Sequence, residues 1–237
     1  MRKAFAMAMG LLVAGVAWAD DARAQDFGRC SGGTAERLSF IEQRLEERQP
    51  YARYWWMGWT SFYSLGMVIQ SVQAPFEGDD SRQADLVVSA VKATFGVTRL
   101  LLWPPNARLG ADPMYVVEPV DESACRERLR VGEELMRKNA RESESRWDWK
   151  RHVANVAINV GGALIVAEGY DDPWRGWRSA GVGIAVGEVF TFSHPWKADD
   201  DLAEYDAKFG TNADLAPRKI SFDVAPTLGG LQLGMRF

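Results

Sequence analysis

Two long apolar stretches, each of a length that suits a helical hairpin, constrain the fold of this chain more than any other feature. They span residues 51–103 and 147–193, and they enclose a highly charged stretch, residues 121–146. Turn-forming residues interrupt each apolar stretch near its middle, at 75–80 and at 169–172. The sequence therefore predicts a mainly α fold, a bundle of about five to six helices built on two apolar helical hairpins.

Prolines and charges predict the other helices. The apolar periodicity predicts a first helix from Thr34 to about Gln49. Pro50 suits the first turn of a separate second helix, where no backbone N–H is needed. Residues 121–146 predict a long solvated helix, with a narrow apolar stripe through Leu129, Leu135 or Met136, and Ala140. A short acidic helix is predicted from Asp200 to Phe209.

Three segments carry a strand pattern. Met114 to Val117 predicts a short strand within a loop. Residues 180–192 alternate in a way that permits a strand, although a helix is favoured there. Near the C-terminus two alternating runs flank a turn, which predicts a small C-terminal β-hairpin within residues 217–237.

The N-terminus has the order of charges and apolar residues that is typical of a secretory signal peptide. Arg2 and Lys3 precede an apolar run, and small-x-small cleavage sites follow it. The run is shorter than the roughly 20 residues that a membrane span needs. We therefore predict a signal peptide over residues 1–24, followed by a helical domain over residues 25–210. The alternative is an uncleaved N-terminal anchor.

Cysteine content and net charge bear on disulfide formation and on the kind of partner that the chain can bind. The chain has two cysteines, Cys30 and Cys125, and export to an oxidising compartment favours a disulfide between them. Two unpaired, partly buried thiols are the alternative. The formal net charge is −4, so the chain lacks the basic character that nucleic-acid binding usually needs. Nucleic acid is therefore not expected as a partner.

Tryptophan is concentrated at one end of the two predicted hairpins. If each apolar stretch folds back on itself, seven indole rings lie at the level of the open ends: Trp55, Trp56, Trp59, Trp103, Trp147, Trp149 and Trp196. Such rings favour the level at which hydrocarbon meets water. Ser179, Gly183 and Gly187 recur every four residues, a spacing that lets helices approach closely in lipid. These features support the hypothesis that the hairpins enter a membrane from the periplasmic side.

Polar residues inside the apolar stretches support the competing hypothesis of a soluble bundle with an apolar core. Lys92, Arg99, Asn155, Asn159 and Glu188 interrupt the helices, and each ionised group near mid-bilayer would cost about 2.5–3.5 kcal/mol. The first hairpin tip is acidic while the open ends are rich in arginine, the reverse of the usual inner-membrane distribution. A soluble bundle is therefore favoured, with association with the outer membrane or a membrane surface as the alternative.

The last ten residues alternate between apolar and other side chains and end on an aromatic ring. The alternating positions are Leu231, Leu233, Met235 and Phe237. This segment resembles the C-terminal strand of outer-membrane β-barrel proteins, and the resemblance implies recognition by the outer-membrane assembly machinery. A whole barrel is not expected, because it would need at least eight strands of about ten residues.

Four polar residues are the candidates for chemistry. His152 and His194 fall at the same end of the second predicted hairpin, near Glu188 and Asn159. An unpaired buried acid is costly, so we expect Glu188 to be hydrogen-bonded, with Asn159 as its partner. The spacing matches no metal-ligand motif, and the phosphate-loop, nucleophile-elbow and dinucleotide patterns are missing. No catalytic residue, metal or cofactor is assigned.

These patterns together predict an exported cell-envelope protein of structural or interaction type, in the periplasm or outer membrane of a Gram-negative bacterium. Membrane lipid or another envelope protein is the expected partner, and no small-molecule partner is identified. The alternative is a periplasmic enzyme or small-ligand-binding protein, with its polar site at one end of the second hairpin.

Overall fold

The computed structural model describes residues 29–210 and the strand segments 221–227 and 230–236. The first of these ranges contains six α-helices: α1 Gly32–Gln73, α2 Asp80–Leu102, α3 Glu122–Glu144, α4 Trp149–Gly169, α5 Pro173–Phe192 and α6 Ala198–Phe209. Short 3-10 turns connect some of them, at Ala74–Phe76, Asn106–Leu109, Asp112–Val116 and Ser145–Trp147. The predicted mainly α bundle is confirmed, and residues 180–192 are helical.

The predicted break at Pro50 is wrong, because α1 runs through it as one helix of 42 residues. Pro50 and Glu46, four residues earlier, both lie on the exposed side of the helix. The carbonyl of Glu46 loses its helical hydrogen bond to the proline but stays open to water. Buried residues on the opposite side continue from Leu45 to Ala52 and Trp55, so packing keeps the helix continuous through the proline.

One half of the molecule, which we call the head, has its own apolar core. The head comprises residues 29–50, 104–146 and 194–210. Its buried side chains come from α1, α3, α6 and the turn before α3: Leu38, Ile41, Leu45, Ala111, Met114, Cys125, Met136 and Tyr205. The predicted strand at Met114 to Val117 is wrong, because a 3-10 turn places Met114 in this core instead.

The charged helix α3 is more buried than a solvated helix would be. Cys125, Gly132, Met136 and Ala140 lie on a buried stripe that faces α1 and α6. The predicted stripe is thus confirmed at Met136 and Ala140. The opposite side carries the charges, which pair along the helix, as in Arg130 with Glu127 and Glu134.

A disulfide joins the beginnings of α1 and α3, as expected. The sulfurs of Cys30 and Cys125 are 2.10 Å apart, and their Cα atoms are 5.8 Å apart. Beside this bond, the carboxylate of Glu122 accepts hydrogen bonds from the backbone and hydroxyl of Ser31 and from Thr34. These bonds, the one from the Ser31 backbone above all, hold the pKa of Glu122 below its usual value.

The other half of the molecule, which we call the apolar bundle, comprises residues 51–103 and 147–193. It contains the second part of α1 together with α2, α4 and α5. Helices α1 and α2 form one antiparallel hairpin, α4 and α5 form the other, and α2 packs against both helices of the second hairpin. Because α1 is continuous, it joins the apolar bundle rigidly to the head.

The C-terminal strands are β1 Ser221–Thr227 and β2 Gly230–Arg236, which pair antiparallel. Phe222 lies opposite Met235 and Val224 opposite Leu233 in the register. The predicted signal peptide, the terminal Phe237 and the side chains of residues 217–237 lie outside the described residues. Their proposed roles in export and targeting stay predictions.

We expect the disulfide to contribute strongly to the stability of the head. Its sequence separation is 95 residues, and closing a loop of that length restricts the unfolded chain by an amount worth about 3–5 kcal/mol. Cys30→Ser should therefore lower the thermal unfolding temperature of the purified protein by several degrees. Reduced wild type should unfold at the same temperature as the variant, and a variant as stable as the oxidised wild type would contradict this account.

Candidate functional site

The outer surface of the apolar bundle is made of large apolar side chains. The following residues on its four helices are more than half exposed: Tyr54, Met57, Phe62, Leu65, Val68, Val72, Phe95, Leu101, Leu102, Val153, Ile158, Ile165, Val182 and Val189. A soluble bundle would bury most side chains of this kind in its core, whereas here they lie on the outer surface. Monomeric soluble proteins rarely expose contiguous apolar patches above a few hundred Å².

The interior of the apolar bundle is built from small side chains instead. The buried positions on α2, α4 and α5 are mostly alanine and glycine: Ala84, Ala90, Ala93, Gly162, Ala163, Ala167, Gly176 and Ala180. Small residues at helix contacts and large apolar residues outside are typical of helices packed in lipid. Among the described residues, α4 is the one helix that is both long enough and apolar enough to cross a membrane.

The seven tryptophans named above divide into two groups. Trp103, Trp147, Trp149 and Trp196 are exposed at the open ends of the hairpins. The other three, Trp55, Trp56 and Trp59, face inward and fix the ends of neighbouring helices. Trp55 is buried, and its Nε1 and that of Trp59 both donate to the hydroxyl of Ser193. Nε1 of Trp56 donates to the carbonyl of Leu100.

Five polar side chains form a continuous hydrogen-bonded series between α2, α4 and α5, which we call the polar chain. Nζ of Lys92 lies 3.3 Å from Oδ1 of Asn159. Nδ2 of Asn159 donates to Oδ1 of Asn155 at 3.0 Å, and Nδ2 of Asn155 donates to Oε1 of Glu188 at 2.9 Å. Oε2 of Glu188 lies 2.6 Å from Nδ1 of His152. The polar chain thus links three helices of the apolar bundle.

All hydrogen bonds from Lys92 to Glu188 run in the same direction. The ammonium donates to the first amide, the first amide to the second, and the second amide to the carboxylate. The amide dipoles therefore lie head to tail between a cation and an anion, and they stabilise both charges. The polar chain acts as a salt bridge that is extended through two asparagines.

The two nitrogens of the His152 ring both face acceptors. Nδ1 meets the carboxylate of Glu188, and Nε2 lies 2.9 Å from the backbone oxygen of Arg146. The His152 ring therefore ties the end of the polar chain that lies nearest the head to the backbone just before α4.

Two glycines of α5 make room for the asparagines of the polar chain. A Cβ added at Gly183 would overlap the amide of Asn159, and one added at Gly187 would overlap the amide of Asn155. Both asparagines can therefore lie flat against the α5 backbone, and Asn155 also donates to the carbonyl of Ile184. The small-residue spacing seen in the sequence serves to seat polar side chains.

The structure brings together three of the four candidate residues predicted from the sequence. His152, Asn159 and Glu188 belong to the polar chain, but the expected direct pair of Glu188 and Asn159 is wrong, because Asn155 bridges them. His194 lies apart, with its ring packed edge-on against Trp55 at 4.9 Å between centroids. Burial, and then the charge of Arg151, lower the pKa of His194 to about 4, so its ring is neutral at physiological pH.

Sequence reasoning missed Asn155 and Lys92 as members of the site. The spacing of His152, Asn155 and Asn159 places them on one side of α4, which is the signal that could have found Asn155. Lys92 lies on another hairpin, and no local pattern specifies its partner. Within residues 29–210 no three histidine, cysteine, aspartate or glutamate side chains lie close enough to hold a metal ion.

Gly183 and Gly187 should tolerate no side chain. We expect Gly183→Ala and Gly187→Ala each to lower the free energy of unfolding by about 1–3 kcal/mol, because the added methyl displaces an asparagine. Gly181→Ala is the matched control on the same helix, since nothing lies within 4 Å of its added Cβ. Thermal unfolding of the purified protein measures all three. Equal effects at Gly181 and Gly183 would contradict the role given to the asparagines.

Lys92 and Glu188 should be coupled although they do not touch. Lys92→Met and Glu188→Leu should each destabilise the protein by about 1–3 kcal/mol, because each removes one end of the polar chain and leaves an asparagine amide group without its partner. The double variant should lose clearly less than the sum of the two. Chemical unfolding of the four proteins in this cycle measures the coupling, and strictly additive losses would show that the asparagines transmit none.

The chain matches no protein-family model, no curated protein and no solved structure. The two most specific features of its structure are the apolar outer surface of the bundle and the polar chain between its helices.

Proposed function

We propose that this protein is an exported cell-envelope protein of structural or interaction type, whose apolar bundle is embedded in lipid and whose head lies in the adjoining aqueous space. The observation that carries the proposal is the placement of side chains in the bundle, with large apolar ones on the outside and small ones inside. At the middle of all four helices, Leu65, Phe95, Ile158 and Val182 are more than half exposed, while the interior holds alanine, glycine and the polar chain.

Helix length supports the same proposal. Helices α2, α4 and α5 have 23, 21 and 20 residues, and the part of α1 after Pro50 is similar in length. At a rise of about 1.5 Å per residue they are roughly 30–35 Å long. The hydrocarbon core of a bilayer is about 30 Å thick, so each helix has the length of one crossing.

Aromatic residues mark both ends of this length. Trp103, Trp147 and Trp149 are exposed at the end next to the head, and Trp174 and Tyr170 are exposed at the opposite tip, where α4 turns into α5. Rings at both levels match the two interfaces of a bilayer.

Four of the five polar residues that argued against lipid from the sequence alone belong to the polar chain, and the fifth, Arg99, is exposed near the end of α2 with its guanidinium over the ring of Phe190. Lys92 and Asn159 are hydrogen-bonded to each other, and Asn155 connects Asn159 to Glu188. Ionisable residues in membrane helices almost always face the interior and pair in this way. The insertion cost of an isolated charge therefore does not apply to Lys92 and Glu188, and Arg99, in the last turn of α2, lies close to the proposed boundary with water.

The disulfide and the distribution of charge support the proposed location. A disulfide in the head suits an oxidising compartment such as the periplasm. The tips of the hairpins carry Arg82, Arg175 and Arg178 beside four aspartates, and the head carries many more arginines than the tips do, so the inner-membrane charge rule disfavours tips in the cytoplasm. We therefore propose the outer membrane, approached from the periplasm, as the location.

The polar chain favours one second candidate function. A carboxylate 2.6 Å from a histidine, within a hydrogen-bonded series, is also an arrangement that a periplasmic enzyme or ligand-binding protein could use. His152→Ala and Asn159→Ala separate the two candidates. Loss of stability without any change in bound ligand favours the structural role, and altered ligand content with intact folding favours the second candidate.

Charge placed on the outer surface of the bundle tests the lipid proposal. Leu65→Arg and Phe95→Arg should each disfavour insertion by about 2.5–3.5 kcal/mol, because both residues lie at mid-helix. Val116→Arg is the matched control, since Val116 is 84% exposed on the head. Flotation of the purified variants with phospholipid vesicles should show loss for the first two and wild-type recovery for the third.

Fractionation of cells provides the outcome that would contradict the proposal. We expect the wild type to sediment with the outer membrane and to resist carbonate extraction. A protein released as a soluble oligomer, in which copies of the chain cover each other's apolar surface, would exclude embedding in lipid.

A further inference from the structure

Three arginines come together at the open ends of the hairpins, next to the head, and we call them the arginine cluster. Arg99 lies in the last turn of α2, Arg146 in the turn before α4, and Arg151 in the first turn of α4. Burial lowers the pKa of His194 most, and the charges of all three arginines lower it further. The three guanidinium groups therefore lie close to this one ring, in the segment between α5 and α6.

Aromatic rings contact two members of the arginine cluster. The guanidinium carbon of Arg99 lies 5.1 Å from the centre of the Phe190 ring. That of Arg146 lies 5.4 Å from the centre of the Trp147 ring and 5.6 Å from that of the Trp196 ring. Such contacts hold a guanidinium in place but neutralise no charge, and they leave its N–H groups without an oxygen acceptor.

The arginine cluster has no paired counter-ion. No carboxylate within residues 29–210 lies at ion-pair distance from any of its three guanidinium groups. Asp148 and Glu142 act on Arg151 through their charge, but Asp148 accepts from the backbone of Lys150 and Glu142 from that of Asn106. Two carboxylates also offset three cations only in part. The cluster therefore keeps a net positive charge, and like charges held close together favour the binding of an anion.

The chemistry and the position of the arginine cluster together indicate the anion. A guanidinium binds a phosphate group through parallel hydrogen bonds, a geometry for which arginine is the preferred side chain. The cluster lies where α2 and α5 end and α4 begins, which is the level at which the proposed function places the boundary between hydrocarbon and water. The phosphates of phospholipid headgroups lie just outside the hydrocarbon core of a bilayer.

We propose that the arginine cluster binds the phosphate group of an anionic phospholipid, an inference that rests on the proposed function. The phosphate oxygens accept from the guanidinium groups of the cluster and compensate their like charges. A phosphatidylcholine headgroup brings a cation of its own to a place that already holds three. The site therefore selects a lipid such as phosphatidylglycerol over a zwitterionic one.

Thermal unfolding of the full chain in neutral maltoside micelles tests this proposal. Phosphatidylglycerol should raise the melting temperature by several degrees and reach saturation, because a ligand that binds the folded state stabilises it. Phosphatidylcholine at the same mole fraction should give a clearly smaller rise. Arg99→Gln, Arg146→Gln and Arg151→Gln should each remove at least half of the rise that phosphatidylglycerol causes, because each takes one cation from the cluster.

A control on α3 separates the arginine cluster from the charge of the head as a whole. Arg141 is exposed in the last turn of α3 and forms no ion pair within residues 29–210. Arg141→Gln removes the same charge and should keep the whole rise. The melting temperature without phospholipid reports whether each variant folds. Arg151 contacts no aromatic ring among the described residues, so Arg151→Gln gives a measurement that is independent of ring packing.

Three results would overturn the inference. The first is an equal rise, or none, with phosphatidylglycerol and phosphatidylcholine. The second is an equal loss in Arg141→Gln and in the cluster variants, which would indicate attraction to the whole head. The third is a rise with glycerol 3-phosphate as large as that with phosphatidylglycerol, which would indicate a soluble phosphate ligand. Flotation with pure phosphatidylcholine vesicles measures the proposed function separately, so a protein that floats but shows no preference for phosphatidylglycerol contradicts this inference alone.

Discussion

The cost of exposing apolar side chains to water constrains this structure more than any single contact. A fully buried leucine or phenylalanine contributes about 1.5–3 kcal/mol to stability, and the same side chain pointing outward contributes this only if its surroundings are apolar. The four helices of the apolar bundle turn many such residues outward and keep mostly small residues inside. Apart from the cluster of Trp55, Leu100 and Phe190 at the open ends, the interior consequently supplies little hydrophobic stabilisation of its own. On the proposed function, the stability of the bundle therefore depends on the surrounding lipid and on the specific polar and close-packed contacts between its helices.

Those contacts follow one pattern. Where two helices approach closely, a glycine on one faces a larger group on the other: Gly183 faces Asn159, Gly187 faces Asn155, and Gly96 faces the ring of Tyr63. Gly176 of α5 similarly faces the backbone of α4 at Ala163. The asparagines then connect Lys92 to Glu188, so that two charges inside an apolar surrounding compensate each other at a distance. The head uses a different set of forces, with an apolar core, a disulfide and the Arg48–Asp201 pair.

Much of the architecture could be predicted from the sequence because its signals are local. Apolar stretches broken by Gly169 to Asp172 or by Pro75 specify two hairpins, and Asp172 followed by Pro173 specifies the start of α5, where the Asp172 side chain accepts from the backbone of Arg175. The predictions were wrong where contacts between residues far apart in the sequence determine the local structure. Packing on both sides of Pro50 keeps α1 continuous, and the core of the head draws Met114 into a 3-10 turn. The membership of Lys92 in the polar chain depends on how one hairpin packs on the other, and no period in the sequence encodes that.

The central claim is that lipid covers the outer surface of the apolar bundle. Spin labels placed singly at Leu65, Phe95, Ile158 and Val182, with Val116 of the head as reference, measure this directly in reconstituted vesicles. We predict high accessibility to oxygen and low accessibility to a water-soluble nickel complex at the four mid-helix positions, and the reverse at Val116. Nickel accessibility at the mid-helix positions as high as at Val116 would show that water covers this surface, and it would contradict the account.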